Sequence, residues 1–90
     1  MKNDSVELIQ NALDTLQLPQ LITKDDIKKQ YRYLSKKYHP DLGGDENKQE
    51  QLNQSYRILM EYIDNFRYSF SEEEINQQYP GESYAKKFKQ

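Results

Sequence analysis

The ninety-residue chain contains no cysteine, no tryptophan and a single histidine, and each shortage excludes a class of chemistry. Without cysteine there are no disulfides, thiol nucleophiles or thiolate metal ligands. The lone His39 cannot furnish a histidine-rich zinc site or a two-histidine relay, so neither a metal nor a cofactor is expected. No nucleophile–base pair is visible, and the chain is not expected to be an enzyme in its own right. Apolar runs are short: none approaches the roughly 20 residues of a membrane span, and no hydrophobic segment of signal-peptide type follows Met1. A cytoplasmic protein without membrane contact is the resulting expectation. Leu, Ile, Val and Phe are scarce enough to approach the compositional border of disorder. A domain of this length also buries only about 60–70% of the surface its unfolded chain exposes. The net charge of −2 is small, however, and the apolar residues recur at regular spacing, which favours one small folded domain. Eight tyrosines and three phenylalanines supply part of the missing apolar bulk.

The modest net charge conceals a strong internal pattern. Residues 24–40 carry Lys24, Lys28, Lys29, Arg32, Lys36 and Lys37 against only Asp25 and Asp26. The segments on either side are acidic, and residues 83–90 return to basic through Lys86, Lys87 and Lys89. A central cationic block between acidic flanks is a feature to be placed on the fold before it is interpreted.

The periodicity is helical throughout, and no stretch alternates as a strand would. Val6, Ile9, Leu13 and Leu16 predict a first helix over about residues 5–17, capped by Ser5 and closed before Pro19. Ile27, Tyr31, Leu34 and Tyr38 predict a second over about 24–38. Thr23 followed by Asp26 makes a start like a capping box. Leu52, Tyr56, Leu59, Ile63 and Phe66 predict a third over about 46–66, starting near Asp45 or Glu46. Ser71 ahead of three glutamates predicts a short fourth over about 71–79, ended by Pro80-Gly81. The expected fold is all-α: an antiparallel hairpin of the two main helices, with the first and fourth packed against it. Residues 1–82 would form this domain and residues 83–90 a basic, flexible tail.

The break between the second and third helices is the most informative place. Pro40 drives His39 away from helical dihedrals, so the second helix should stop near Tyr38. Gly43-Gly44 then permits a tight turn. His39, Pro40 and Asp41 are placed at the tip of a helical hairpin, held between rigid rods.

The cations of the second helix have a definite direction. At about 100° per residue from Ile27, Tyr31, Leu34 and Tyr38 stay within about 40° and form the buried stripe. Lys28, Arg32, Lys36 and Lys29 fall between about 100° and about 200°, opposite the core. A solvated outer face is the ordinary explanation of such residues. Four cations on one arc with no interleaved acids repel one another, however, and contribute nothing to helix stability. A docking surface for an acidic partner accounts for them. Tyr31, Tyr38 and Tyr56 share apolar stripes and are assigned to the core; Tyr33 and Tyr62 fall off them. Asp41 through Leu52 only superficially suggests a calcium loop, since Glu46 and Leu52 occupy the positions that need Gly and a bidentate Glu.

Tyr38-His39-Pro40-Asp41, with the ungapped basic and aromatic stretch from Asp26 that leads into it, resembles the second helix and signature loop of the J domain of the DnaJ co-chaperone family. Asn53-Gln54-Ser55-Tyr56-Arg57-Ile58-Leu59 is similar to that family's third-helix pattern Asn-Glu-Ala-Tyr-x-x-Leu, and Leu16, Leu18 and Pro19 match its Leu-Gly-Val-Pro. The resemblance covers about residues 5–68. Departures are Gln17 in place of the loop glycine, Ala12-Leu13 in place of an aromatic pair, and Phe66-Arg67-Tyr68-Ser69-Phe70 with the acidic Ser71–Glu74 segment where the family's basic-aromatic motif stands. Neither a glycine/phenylalanine-rich segment nor a cysteine-rich module occurs in these residues.

The resemblance implies a co-chaperone that binds a DnaK-class, seventy-kilodalton heat-shock chaperone and stimulates its ATP hydrolysis. His39, Pro40 and Asp41 would act as the signature loop, and Lys28, Lys29, Arg32, Lys36 and Lys37 as the docking cations, on a protein expected to be a monomer. Two other readings use the same residues: a helical nucleic-acid binder, and a J-like adaptor that binds the chaperone without stimulating it. The acidic flanks, and a basic face poor in the Asn, Gln and Arg variety that reads bases, disfavour the nucleic-acid reading.

Overall fold

Side-chain caps fix where three of the four helices begin. The computed structural model describes residues 4–39, 41 and 43–79 and contains α1 (Asp4–Thr15), α2 (Lys24–Lys37), α3 (Glu46–Asp64) and α4 (Glu72–Gln78). At the start of α2 the Thr23 hydroxyl accepts the Asp26 backbone N–H at 3.2 Å and donates to the Asp26 carboxylate at 2.8 Å. Asp45 caps α3 by accepting the backbone N–H groups of Asn47 and Lys48, and Ser71 caps α4 by accepting that of Glu74. Each cap satisfies amides that the helix cannot. Ser5, expected as the cap of the first helix, lies inside it, because α1 begins at Asp4.

The end of α1 explains how a sequence without the expected glycine still turns. The Leu18 N–H reaches back to the Leu13 carbonyl at 2.9 Å and the Gln17 N–H to that of Asp14 at 3.0 Å. These are the paired bonds of a Schellman ending, which requires a left-handed residue between them. Gln17 supplies it at φ 56°. A side chain with a Cβ in this region costs about 1–2 kcal/mol relative to the right-handed conformation. Leu16, just before the turn, is fully buried, and its carbonyl accepts from Gln30 Nε2 at 3.1 Å, tying the α1 terminus to α2.

α3 is the central rod and packs against both α1 and α2. Its antiparallel pairing with α2 is marked at both ends. Lys24 Nζ meets Asp64 Oδ1 at 3.0 Å, while at the other end Gln49 Nε2 donates to Ser35 Oγ at 3.1 Å. The hydrogen bond to Asp64, and then that carboxylate's charge, raise the pKa of Lys24. So exposed a pair orients the helices more than it stabilises them. The core consists of Ala12 and Leu16 from the α1 region, Ile27 and Leu34 from α2, and Leu52 and Leu59 from α3. Ser55 is buried among these helices as well. Tyr31, Tyr38 and Tyr56, expected in the core, are half-buried and pack at the margin of this cluster instead.

Both ends of the long stripes depart from expectation. Val6 is 49% exposed, because the groove between the first turn of α1 and the last turns of α3 stays open. Phe66 is equally exposed. α3 stops at Asp64, and the Asn65 backbone and side-chain N–H groups both cap the Glu61 carbonyl, so the chain leaves the helix before Phe66 can reach the core face. α4 adds no buried residue, since Ile75 is the one apolar side chain in its seven residues. Among the described residues no helix is long and apolar enough to cross a membrane. The expected basic tail over residues 83–90 lies outside the described residues.

Two substitutions check this arrangement by urea denaturation. Gln17→Gly should stabilise the domain by about 0.5–1 kcal/mol by relieving the left-handed conformation. Leu52→Ala should destabilise it by about 2–5 kcal/mol, whereas Ile75→Ala should change it by less than about 0.5 kcal/mol.

Candidate functional site

The corner between α2 and α3 is assembled from backbone geometry before any exposed side chain is considered. α2 closes on the Tyr38 N–H, which bonds to the Leu34 carbonyl at 3.0 Å. Gly43 is in the left-handed region at φ 82°. The Gly44 N–H then returns to the His39 carbonyl at 2.9 Å. A Cβ placed on Gly44 would collide with the backbone of Tyr38 and His39, so the turn closes in this form only with a glycine there. Asp45 begins the next helix immediately afterwards.

This closure holds His39 and Asp41 on an exposed ledge. The Asp41 backbone N–H donates to His39 Nδ1 at 3.2 Å. An accepting Nδ1 carries no proton, so the neutral ring has its proton on Nε2 and can donate from there. Asp41 Oδ2 lies 3.8 Å from Nδ1, beyond hydrogen-bond range. The two side chains are 50% and 88% exposed. The imidazole is therefore fixed by a backbone amide, and the carboxylate remains open to solvent. Pro40, expected at this corner, lies outside the described residues.

Arg32 and Lys36 share a concave surface with His39 and Asp41, floored by Tyr31, Ser35 and Gln49. The floor is hydrogen-bonded across the two helices. Tyr31 donates through its hydroxyl to Asn53 Oδ1, which also accepts from Gln49 Nε2 at 3.0 Å. The Tyr31 ring stacks on Tyr56 with centroids 4.1 Å apart and planes 10° apart. Gln49 Oε1 is buried without a hydrogen-bond partner, a local cost of about 1–3 kcal/mol.

The remaining expected cations are distributed along α2. Lys29 is exposed and Lys28 half-buried, about two turns before Lys36 on the helix. Lys37 stands apart from the arc: its Nζ lies 5.5 Å from the centroid of the Tyr38 ring. Lys48, from the first turn of α3, approaches the same ring at 5.7 Å. The periodicity of α2 alone could not place Lys48 beside this group, since it comes from another helix. Nor could it identify Gln49 and Asn53, whose polar side chains lie in the seam between two helices. Lys36 and Lys37 also suit the negative C-terminal end of α2.

A family model described as the DnaJ domain matches residues 11–68. The chain is 42% identical over 55 residues to a chaperone protein DnaJ of Finegoldia magna, a match covering 57% of this chain and 15% of that protein. It is 39% identical over 72 residues to a chaperone protein DnaJ of Lysinibacillus sphaericus, covering 76% of this chain and 19% of the relative. A third match, to the chaperone protein dnaJ A6 of Oryza sativa subsp. japonica, is 44% identical over 46 residues and covers 51% and 11%. The chain thus spans less than a fifth of the length of these curated relatives. No solved structure matches it.

Gly44→Ala tests the closure of the corner. It should lower stability by about 1–3 kcal/mol, and amide exchange at position 44 should accelerate while the centres of α2 and α3 stay protected.

Proposed function

This chain belongs to the DnaJ domain family, and we propose on that footing that it acts as a J-domain co-chaperone. It binds a DnaK-class chaperone through His39, Pro40, Asp41 and the basic face of α2, and it stimulates that partner's ATP hydrolysis. The observation that carries the proposal is the concave surface in which an exposed, backbone-oriented imidazole and a free carboxylate adjoin Arg32 and Lys36.

The chemistry assigns a role to each part. Arg32, Lys36, Lys28 and Lys29 draw the helix toward an acidic surface, which raises the association rate and makes it sensitive to salt. Lys37 and Lys48, beside the Tyr38 ring, extend the positive field to the corner. His39 donates through Nε2, and Asp41 accepts charge-assisted hydrogen bonds from a basic group of the chaperone. The closed turn leaves little backbone to be ordered on binding. The co-chaperone itself performs no bond chemistry. It favours the hydrolysis-competent conformation of its partner by binding that state more tightly. The carboxylate of Asp41 inside the same concavity sets this surface against a phosphate backbone, so the nucleic-acid reading is not preferred. A cytoplasmic location fits a partner of this class.

His39→Gln should abolish stimulation of a DnaK-class ATPase in steady-state hydrolysis assays while leaving the helical circular-dichroism spectrum and melting temperature unchanged. Full stimulation by that variant would refute the mechanism. Combined reversal of Arg32 and Lys36 to Glu should weaken chaperone binding by about tenfold or more and flatten its dependence on ionic strength.

A further inference from the structure

Tyr33 is the one large apolar side chain of α2 left exposed, at 63%. The other tyrosines of this stretch are engaged. Tyr31 stacks on Tyr56 and donates to Asn53, and Lys37 and Lys48 approach the Tyr38 ring. The Tyr33 ring and hydroxyl have no partner among the described residues. Tyrosine is also a poorer helix former than lysine or alanine, so the residue adds nothing to α2 itself. A single exposed ring is ordinary on a protein surface; its setting here is not.

The positions that neighbour Tyr33 across one helical turn are Lys29, Gln30, Lys36 and Lys37, and Arg32 precedes it. No acid is among them. The four cations are exposed, and none forms an ion pair with an acid among the described residues. Around the helix from Ile27, Tyr33 falls at about 240°, between Lys29 and Lys36 at about 180–200° and Lys37 at about 280°. Asp25 and Asp26 lie about two turns back, at the start of α2, where Thr23 holds the Asp26 carboxylate. Asp41 lines the concavity with Arg32 and Lys36, which Tyr33 does not enter. The ring is therefore framed by uncompensated positive charge, and the surface that meets it must be negative.

Cations on such a face steer encounter but hold weakly, because exposed ion pairs are hydrated and screened. An aromatic side chain inside a polar rim holds more firmly, since the rim keeps water from the buried ring. We propose that Tyr33 is the apolar anchor of the α2 docking face and determines which partner that face accepts. The partner surface must offer an apolar recess bordered by carboxylates. This rests on the chaperone reading above and adds to it a binding residue outside the corner and the cations. Single-stranded nucleic acid suits the face less well. It calls for successive rings to stack successive bases, and α2 exposes no second ring.

The test measures equilibrium binding of the full chain to a bacterial DnaK bound to ATP, at low and at high salt. Tyr33→Ser should weaken binding about tenfold and by the same factor at both salt concentrations, because apolar contact is not screened as charge is. Its stimulation of hydrolysis should recover as its concentration is raised. Tyr33→Phe should bind nearly as the unmodified chain does. Tyr33→Lys, which adds a charge of the sign already present, should still bind more weakly than the unmodified chain. Leu21→Ser removes an even more exposed apolar residue from the loop between α1 and α2 and should leave binding unchanged. Circular dichroism should be the same in all of them. Full binding by Tyr33→Ser, tighter binding by Tyr33→Lys, or a Tyr33→Ser defect that vanishes at high salt would overturn the proposal. With His39→Gln inactive in the same assays, such a result sinks the anchor alone and leaves the chaperone reading standing. No binding by the unmodified chain would overturn both. Saturable binding of an oligothymidylate strand that Tyr33→Ser abolishes would also overturn the proposal, by assigning the ring to base stacking.

Discussion

The close approach of the Gly44 backbone to Tyr38 controls the geometry of the corner. It lets the Gly44 amide reach the His39 carbonyl, which brings the start of α3 back alongside α2 within a few residues. Once the helices are antiparallel, Ser35 can meet Gln49, Tyr31 can stack on Tyr56, and Lys24 can meet Asp64. The exposed pair His39 and Asp41 is a product of the same closure. Side chains directed by a turn that sterics permit in few forms are presented at little entropic cost.

The core that supports this turn is thin, and its composition shows how it suffices. Among the described residues six apolar side chains, Ala12 and five aliphatic ones, are buried, and tyrosines help to seal their margin. Tyrosine suits that position because its ring covers apolar surface while its hydroxyl meets polar groups, as Tyr31 does at Asn53. The unpaired Gln49 Oε1 and the left-handed Gln17 are local costs tolerated by the same structure. Both lie near elements that the fold needs, the α2–α3 seam and the α1 turn, so geometry there is maintained against local preference.

Local chemistry made much of this legible in advance. Thr23, Asp45 and Ser71 declare helix starts because capping depends on a side chain and amides two or three residues away. Ile27 and Leu34 declare the buried face of α2 because helical period alone selects it. Period says which residues share a face but not whether another element covers that face, and Val6 and Phe66 were misplaced for this reason. Lys48 beside Tyr38, and the seam of Gln49 and Asn53, depend on the pairing of two helices and leave no mark in either one alone. The bond from the Asp41 amide to the His39 ring is set by loop torsions that residue identity does not dictate.

The nineteen residues of α3 span about 28 Å, and that length has a consequence for how the sequence can vary. Substitutions at its two extremities share no neighbours, so their energetic effects should sum. The aromatic terminus can therefore drift, acquire new preferences or lose them, without detuning the ledge at the other extremity. A single rod of this kind makes the domain modular along its own length, at a scale smaller than the domain itself.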